Sequence, residues 1–178
     1  MMRRIQKLAA ALAAVAALSF AVPASAASGK NNYLRNKIVN QIFQGTALGL
    51  PANFAIRLYA AGSCPTATTA GTEYTGNGYA AITCTASTAG SACTAGGANW
   101  GAGGVASAAA TAGSIANVNS LQFPTVTGAN WSIQCVAITD ATSAANVLYY
   151  GDLTGAPVTV SVGATASFAG NALVLTEQ

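Results

Sequence analysis

Histidine is absent from all 178 residues, and Asp and Glu together number four. The first absence removes the side chain that most often moves protons near neutral pH, and with it Ser-His-Asp triads and imidazole-bound metals. The second leaves Glu73, Asp140, Asp152 and Glu177 as the whole carboxylate complement. Asp140 and Asp152 stand beside turn sequences, where Asp commonly hydrogen-bonds its own backbone. Glu73 lies in a Gly-Thr loop and Glu177 one residue from the chain end, so a glycosidase-type pair is not expected. There is no CxxC pair, and a zinc site would have to gather four thiolates from scattered positions. Gly101-Ala102-Gly103-Gly104 does not join a strand to a helix as a phosphate-binding loop does. The expectation is a non-enzymatic protein with no catalytic residues, no cofactor and no metal.

Charge is scarce as well: 6% of residues are charged, against about a quarter in an ordinary soluble domain. The formal net charge of +3 is carried by Arg3, Arg4 and Lys7. Beyond them Lys30, Arg35, Lys37 and Arg57 balance the four carboxylates, so no basic stripe exists for nucleic acid. The surface is built from Ala, Gly, Ser and Thr, and near-zero charge favours self-association.

A long hydrophobic run is also missing. The 8–22 segment is uncharged and Ala-rich, but its fifteen residues would rise roughly 22 Å as a helix, short of a hydrocarbon core of roughly 30 Å. Preceded by the basic head and followed by Pro23 and Ala24-Ser25-Ala26, it reads as a secretory signal peptide over 1–26, cleaved after Ala26. The mature domain, 27–178, is long enough to bury about two thirds of its unfolded surface. It is expected to be exported, periplasmic or extracellular, without a membrane span.

All four cysteines lie in that mature part. An even count in an exported chain favours disulfides. Three pairings are possible. Cys84–Cys93 is favoured because it closes a local loop, leaving Cys64–Cys135 to cross the domain. Chain-entropy arithmetic gives about 2.7 kcal/mol for the first and about 4.4 kcal/mol for the second.

Residues 31–44 read as a helix. Asn31 or Asn32 can cap it, Leu34, Ile38 and Ile42 with Val39 and Phe43 form an apolar stripe, and Gly45 stops it. Arg35 and Lys37 fall on the other side. The helix either packs on its own domain or docks, through Ile38 and Ile42, on a neighbouring subunit. After Pro51 the period changes to two. Strands are expected at 54–59, 79–85, 120–123 (ending at Pro124), 131–139, 147–150, 158–162 and 173–176, with both faces of 131–139 partly buried. Gly76-Asn77-Gly78 is a turn. The fold expected is mainly β: an antiparallel β-sandwich of about seven short strands with one N-terminal α-helix.

Within 85–114, all but Cys93, Asn99, Trp100 and Val105 are Ala, Gly, Ser or Thr. Such a stretch has too little apolar surface to fold alone and reads as a long loop. Trp100 either anchors it to the sandwich or meets a partner or a sugar from its surface. Asn130-Trp131-Ser132 matches a glycosylation pattern, but within an expected strand.

Three ordered stretches carry a resemblance. They are Asn32-Tyr33-Leu34-Arg35-Asn36-Lys37, then Gly71-Thr72-Glu73-Tyr74-Thr75-Gly76-Asn77-Gly78-Tyr79-Ala80, then a C-terminal third. That third has Phe123-Pro124-Thr125, Trp131, Asp140-Ala141, Leu148-Tyr149-Tyr150-Gly151 and the 160–175 hairpin. Together they resemble a family of small phage tail fibre proteins made of a short N-terminal helix and a β-sandwich. The resemblance implies a non-catalytic structural subunit of a virion tail or fibre, oligomeric with itself or with other tail and fibre proteins. It carries over no catalytic residues. The signal peptide, the four cysteines and Ala81, where the family commonly has a basic residue, depart from its pattern. The leader implies export, and a virion tail location would follow if the leader were not a true signal. The rival expectation is a secreted monomeric adhesin that presents the 85–114 loop and Trp100 to a cell-surface glycan.

Overall fold

The computed structural model describes residues 20–21, 29–49, 51–86, 92–94, 100–102, 108–140 and 146–177. Apart from Phe20 and Ala21, the leader and its cleavage site lie outside these residues. So does much of the 85–114 stretch, including Gly103 and Gly104.

In chain order the elements begin with β1 (Phe20–Ala21), β2 (Gly29–Lys30) and helix α1 (Asn32–Gln44). Then come β3 (Asn53–Tyr59), β4 (Ile82–Thr85), β5 (Ala92–Cys93), β6 (Trp100–Gly101), β7 (Ser114–Asn117) and β8 (Leu121–Thr125). They end with β9 (Trp131–Ile133), β10 (Cys135–Thr139), β11 (Val147–Asp152), β12 (Val158–Val160), β13 (Thr165–Phe168) and β14 (Val174–Thr176). The chain is mainly β, and its sheets are antiparallel save for the two-residue pairing of β1 with β13.

Asn31 caps α1 from an extended conformation, its side-chain oxygen accepting from the Tyr33 N–H at 3.0 Å. Its amide nitrogen also donates to the Thr66 carbonyl at 2.9 Å, which ties the helix start to the neighbouring loop. Gly45 ends the helix with φ 64, a conformation that costs least without a Cβ.

The larger layer is a six-stranded sheet in the order β2-β11-β10-β3-β4-β5. Its central strand β10 is buried along its whole length. On one face Ile56, Leu58, Val136 and Ile138 join Leu121, Phe123, Trp131 and Phe168, which come from the smaller opposing sheets β1-β13-β8 and β12-β9. On the other face Tyr59, Cys135, Ala137 and Val147 form a second, smaller core with Cys64 and Tyr150 against it. Period-2 alternation thus serves two cores at once. A further three-stranded sheet has the order β14-β7-β6. Asn117 of β7 is fully buried, and its side chain is saturated by the Leu173 N–H and the Asn119 and Ala169 carbonyls.

Several expected strands are corrected. The 131–139 run is two strands, because the chain leaves β12 at Gln134 and joins β3 and β11. The 79–85 strand begins at Ile82, since the Gly76 turn holds the Tyr79 N–H at 2.9 Å. The strand expected to stop at Pro124 continues to Thr125. Among the described residues its only strand partner is β13, with the register shifting between Gln122 and Thr125, so proline takes a place where its missing N–H is tolerated. The 158–162 strand ends at Val160, and the 173–176 strand begins at Val174. Within 27–178 there are more strands than the seven or so expected: β2, β5, β6, β7 and β13 lie outside the expected strand segments.

Candidate functional site

The four carboxylates do not gather. Asp140 is buried and accepts from both the Asn146 N–H (2.9 Å) and the Asn146 side-chain amide (2.6 Å), which is turn chemistry. Glu73 accepts from Arg57 and from the Tyr79 hydroxyl, and Arg57 Nε donates to Thr139 Oγ1 at 2.8 Å. This network pins the loop over the smaller core. Burial raises the Tyr79 pKa, with the Glu73 charge adding to it. Tyr59 is pushed up to about 12, first by burial and then by Glu73. Both phenols therefore stay neutral, and the Tyr79 hydroxyl accepts from the Leu58 N–H while donating to Glu73.

Glu177 does not hang free at the chain end. It accepts from Lys30 of β2 and from the Tyr149 hydroxyl of β11, so it clasps the last strand to the helix entry. Burial pushes its carboxyl up, but the Lys30 and Tyr149 hydrogen bonds outweigh that and hold it below the ordinary value. A carboxyl depressed on folding adds stability above its unfolded pKa, about 4.3, and loses it as pH falls through the folded value. Amide protection factors in β14, with the intrinsic pH dependence of exchange divided out, should fall on acidification below about pH 4. Glu177→Gln should flatten that dependence, and an unchanged profile in the variant would contradict the clasp. The glutamate side chain is 39% exposed, so solvent screening keeps the effect small.

The cysteines pair as Cys64–Cys135 and Cys84–Cys93. The first ties the loop after β3 to the central strand β10, with Cα atoms 5.9 Å apart. The second links directly opposed residues of β4 and β5. Asp152 lies near Cys64 and Cys135 in a grouping that metal ligands could adopt. Both sulfurs are spent on each other, so no thiolate is left to ligate.

Trp100 is an anchor. It is 5% exposed and meets Phe54 edge-on at 5.8 Å. Of the two expected roles this position is that of the anchor, because the short β6–β7 pairing draws the ring between the layers. Trp131 of the glycosylation-like triplet is fully buried, and Asn130 accepts from the Val162 N–H.

Among the described residues two features remain without a partner. The first is the far half of α1. Leu34 is buried and Ile38 half-buried against the main core, but Val39 (51%), Ile42 (65%) and Phe43 (79%) are exposed. The stripe expected from the sequence is present, and the domain covers only its first half. Arg35 is exposed, and Lys37 lies over the Tyr33 ring and donates to the Leu48 carbonyl at 3.1 Å. The second is an apolar cleft of about 360 Å³ between the six-stranded sheet and β6, β7 and β14. Phe54, Trp100, Ile115, Ile138, Leu148 and Leu175 form its walls. The Trp100 Nε1–H is enclosed by protein and has no acceptor among the described residues. No sequence pattern flagged this cleft, because its walls come from six separate strands.

The family model described as Podophage GP4 fiber I protein gp80 matches residues 29–176, from β2 through the last residue of β14. No curated protein matches the chain. Among the described residues no helix is long and apolar enough to cross a membrane.

Proposed function

The chain belongs to the podophage GP4 fiber I protein gp80 family, and from that premise we propose that it is a non-enzymatic structural subunit of a fibre. Its leader sends it out of the cytoplasm, and it works as an oligomer. The observation that carries this reading is the apolar half-face of α1, because Val39, Ile42 and Phe43 supply three of the four exposed large hydrophobics among the described residues. Scattered exposed hydrophobics need no explanation, but a concentrated patch on one helix face marks a contact.

Export is supported by the two disulfides, which form and persist in oxidising compartments. The absence of histidine and the engagement of Glu73, Asp140 and Glu177 in local structure support a mechanical rather than chemical role. With four positive and four negative side chains beyond the leader, copies do not repel one another. The rival adhesin needs Trp100 at the surface, and that ring is enclosed.

Light scattering on the mature chain should give an oligomer, and Ile42→Asp should convert it to a folded monomer whose circular dichroism matches wild type. A wild-type monomer at the highest attainable concentration would contradict the proposal.

A further inference from the structure

We propose that the apolar cleft receives the far half of α1 from a second copy of this chain, so that each subunit inserts its helix into its neighbour. This rests on the fibre-subunit reading and names the surface that such a subunit would use. The two features are both apolar. The helix projects Val39, Ile42 and Phe43 at i, i+3 and i+4, the spacing with which helices anchor in apolar grooves. The cleft, at about 360 Å³, lies within the roughly 300–1,000 Å³ span of pockets that enclose small ligands. No residue of α1 lines it in its own subunit. From Ile38 to Gln44 the helix carries no charge, and neither do the walls of the cleft. Desolvating either surface therefore strands no ion.

A neutral small ligand could fill the volume, but it would leave the helix face bare. A second copy resolves both.

Such a contact is heterologous. One surface gives and a different one receives, so repetition closes a ring or extends a filament. That asymmetry makes it testable by complementation in the mature chain. Phe43→Asp spoils the giving surface at an exposed position, and Ala86→Trp blocks the mouth of the cleft from its exposed rim. Each variant alone should show weakening of assembly by about thirtyfold or more, the scale of losing a hot-spot residue. Mixed in equal amounts they should form a heterodimer, because one keeps its cleft and the other its helix. Ala86→Glu provides a second blocked cleft should the tryptophan disturb folding, and circular dichroism checks each variant.

If the Ala86 variants assemble like wild type while Phe43→Asp does not, helices pack on helices. The cleft assignment is then overturned while the fibre reading stands. Two single variants that stay monomeric when mixed would overturn it as well. A wild-type chain that never assembles removes the fibre reading itself.

Discussion

Trp131→Ala should lower the stability of the domain by about 3–5 kcal/mol. The side chain is fully buried, with ring centroids 5.5 Å from Tyr79 and 5.8 Å from Tyr74. Tyr79 continues the cluster by stacking on Phe123, which meets Phe168 edge-on. The indole also has a polar duty, since Nε1 donates to the Asn77 carbonyl at 3.0 Å and fixes the Gly76-Asn77-Gly78 turn. That turn is sterically constrained. Gly78 has φ +81, and a Cβ there would lie 2.8 Å from the Thr125 carbonyl. Removing the indole therefore opens a large cavity and releases the turn. Against a typical total of about 5–15 kcal/mol, the variant should sit close to unfolding at 37 °C. Equilibrium urea denaturation measures it. Trp131→Phe should cost less, because it keeps an aromatic ring in the cluster and loses the hydrogen bond. A loss below about 1 kcal/mol in the alanine variant would contradict the role given to this residue.

The second large effect concerns Cys64–Cys135. Replacing both residues with alanine should cost about 4 kcal/mol by loop-closure entropy, and the Cys84–Cys93 double variant about 2.7 kcal/mol. The sequence separations, 71 and 9, set that order. In a domain of this size 1 kcal/mol moves the melting temperature by roughly 2–4 °C, so the long-loop variant should melt about 8–16 °C lower. The bond also holds the lid of the smaller core, because Cys135 is buried beside Tyr59 and Ala137 while Cys64 comes from the covering loop. The loss should therefore include local opening around Glu73 and Arg57, visible as faster amide exchange there. Equal melting of the two double variants would contradict this account.

The parts of the fold that were legible are those where large side chains keep a strict period. Leu34, Ile38 and Ile42 with Asn31 and Gly45 marked α1 to within one residue. Alternation in β3, β10 and β11 marked the main sheet, and the favoured cysteine pairing is the one present. The strands that escaped are made of small residues. β5 and β6 lie inside the 85–114 stretch and β7 begins at its end, while β13 reads Thr-Ala-Ser-Phe. Such segments become strands because neighbouring edges offer hydrogen bonds, which composition does not record. The candidate site was half visible. The helix stripe could be read from spacing, and how far the domain covers it could not. The cleft is assembled from residues between Pro51 and Leu175 and has no local signature at all. Trp100 could be read as anchor or as surface contact, because composition around it decides neither; its burial comes with the pairing of β6 and β7.

The central claim is that this is an exported fibre subunit. The most direct measurement is mass spectrometry of the chain's N-terminus in particles sedimented from cultures of the source strain. The account predicts a peptide beginning at Ala27, recovered from fibres and carrying both disulfides. A chain that retains the 1–26 segment, or one found free in the supernatant as a monomer and absent from every fibre fraction, would contradict it.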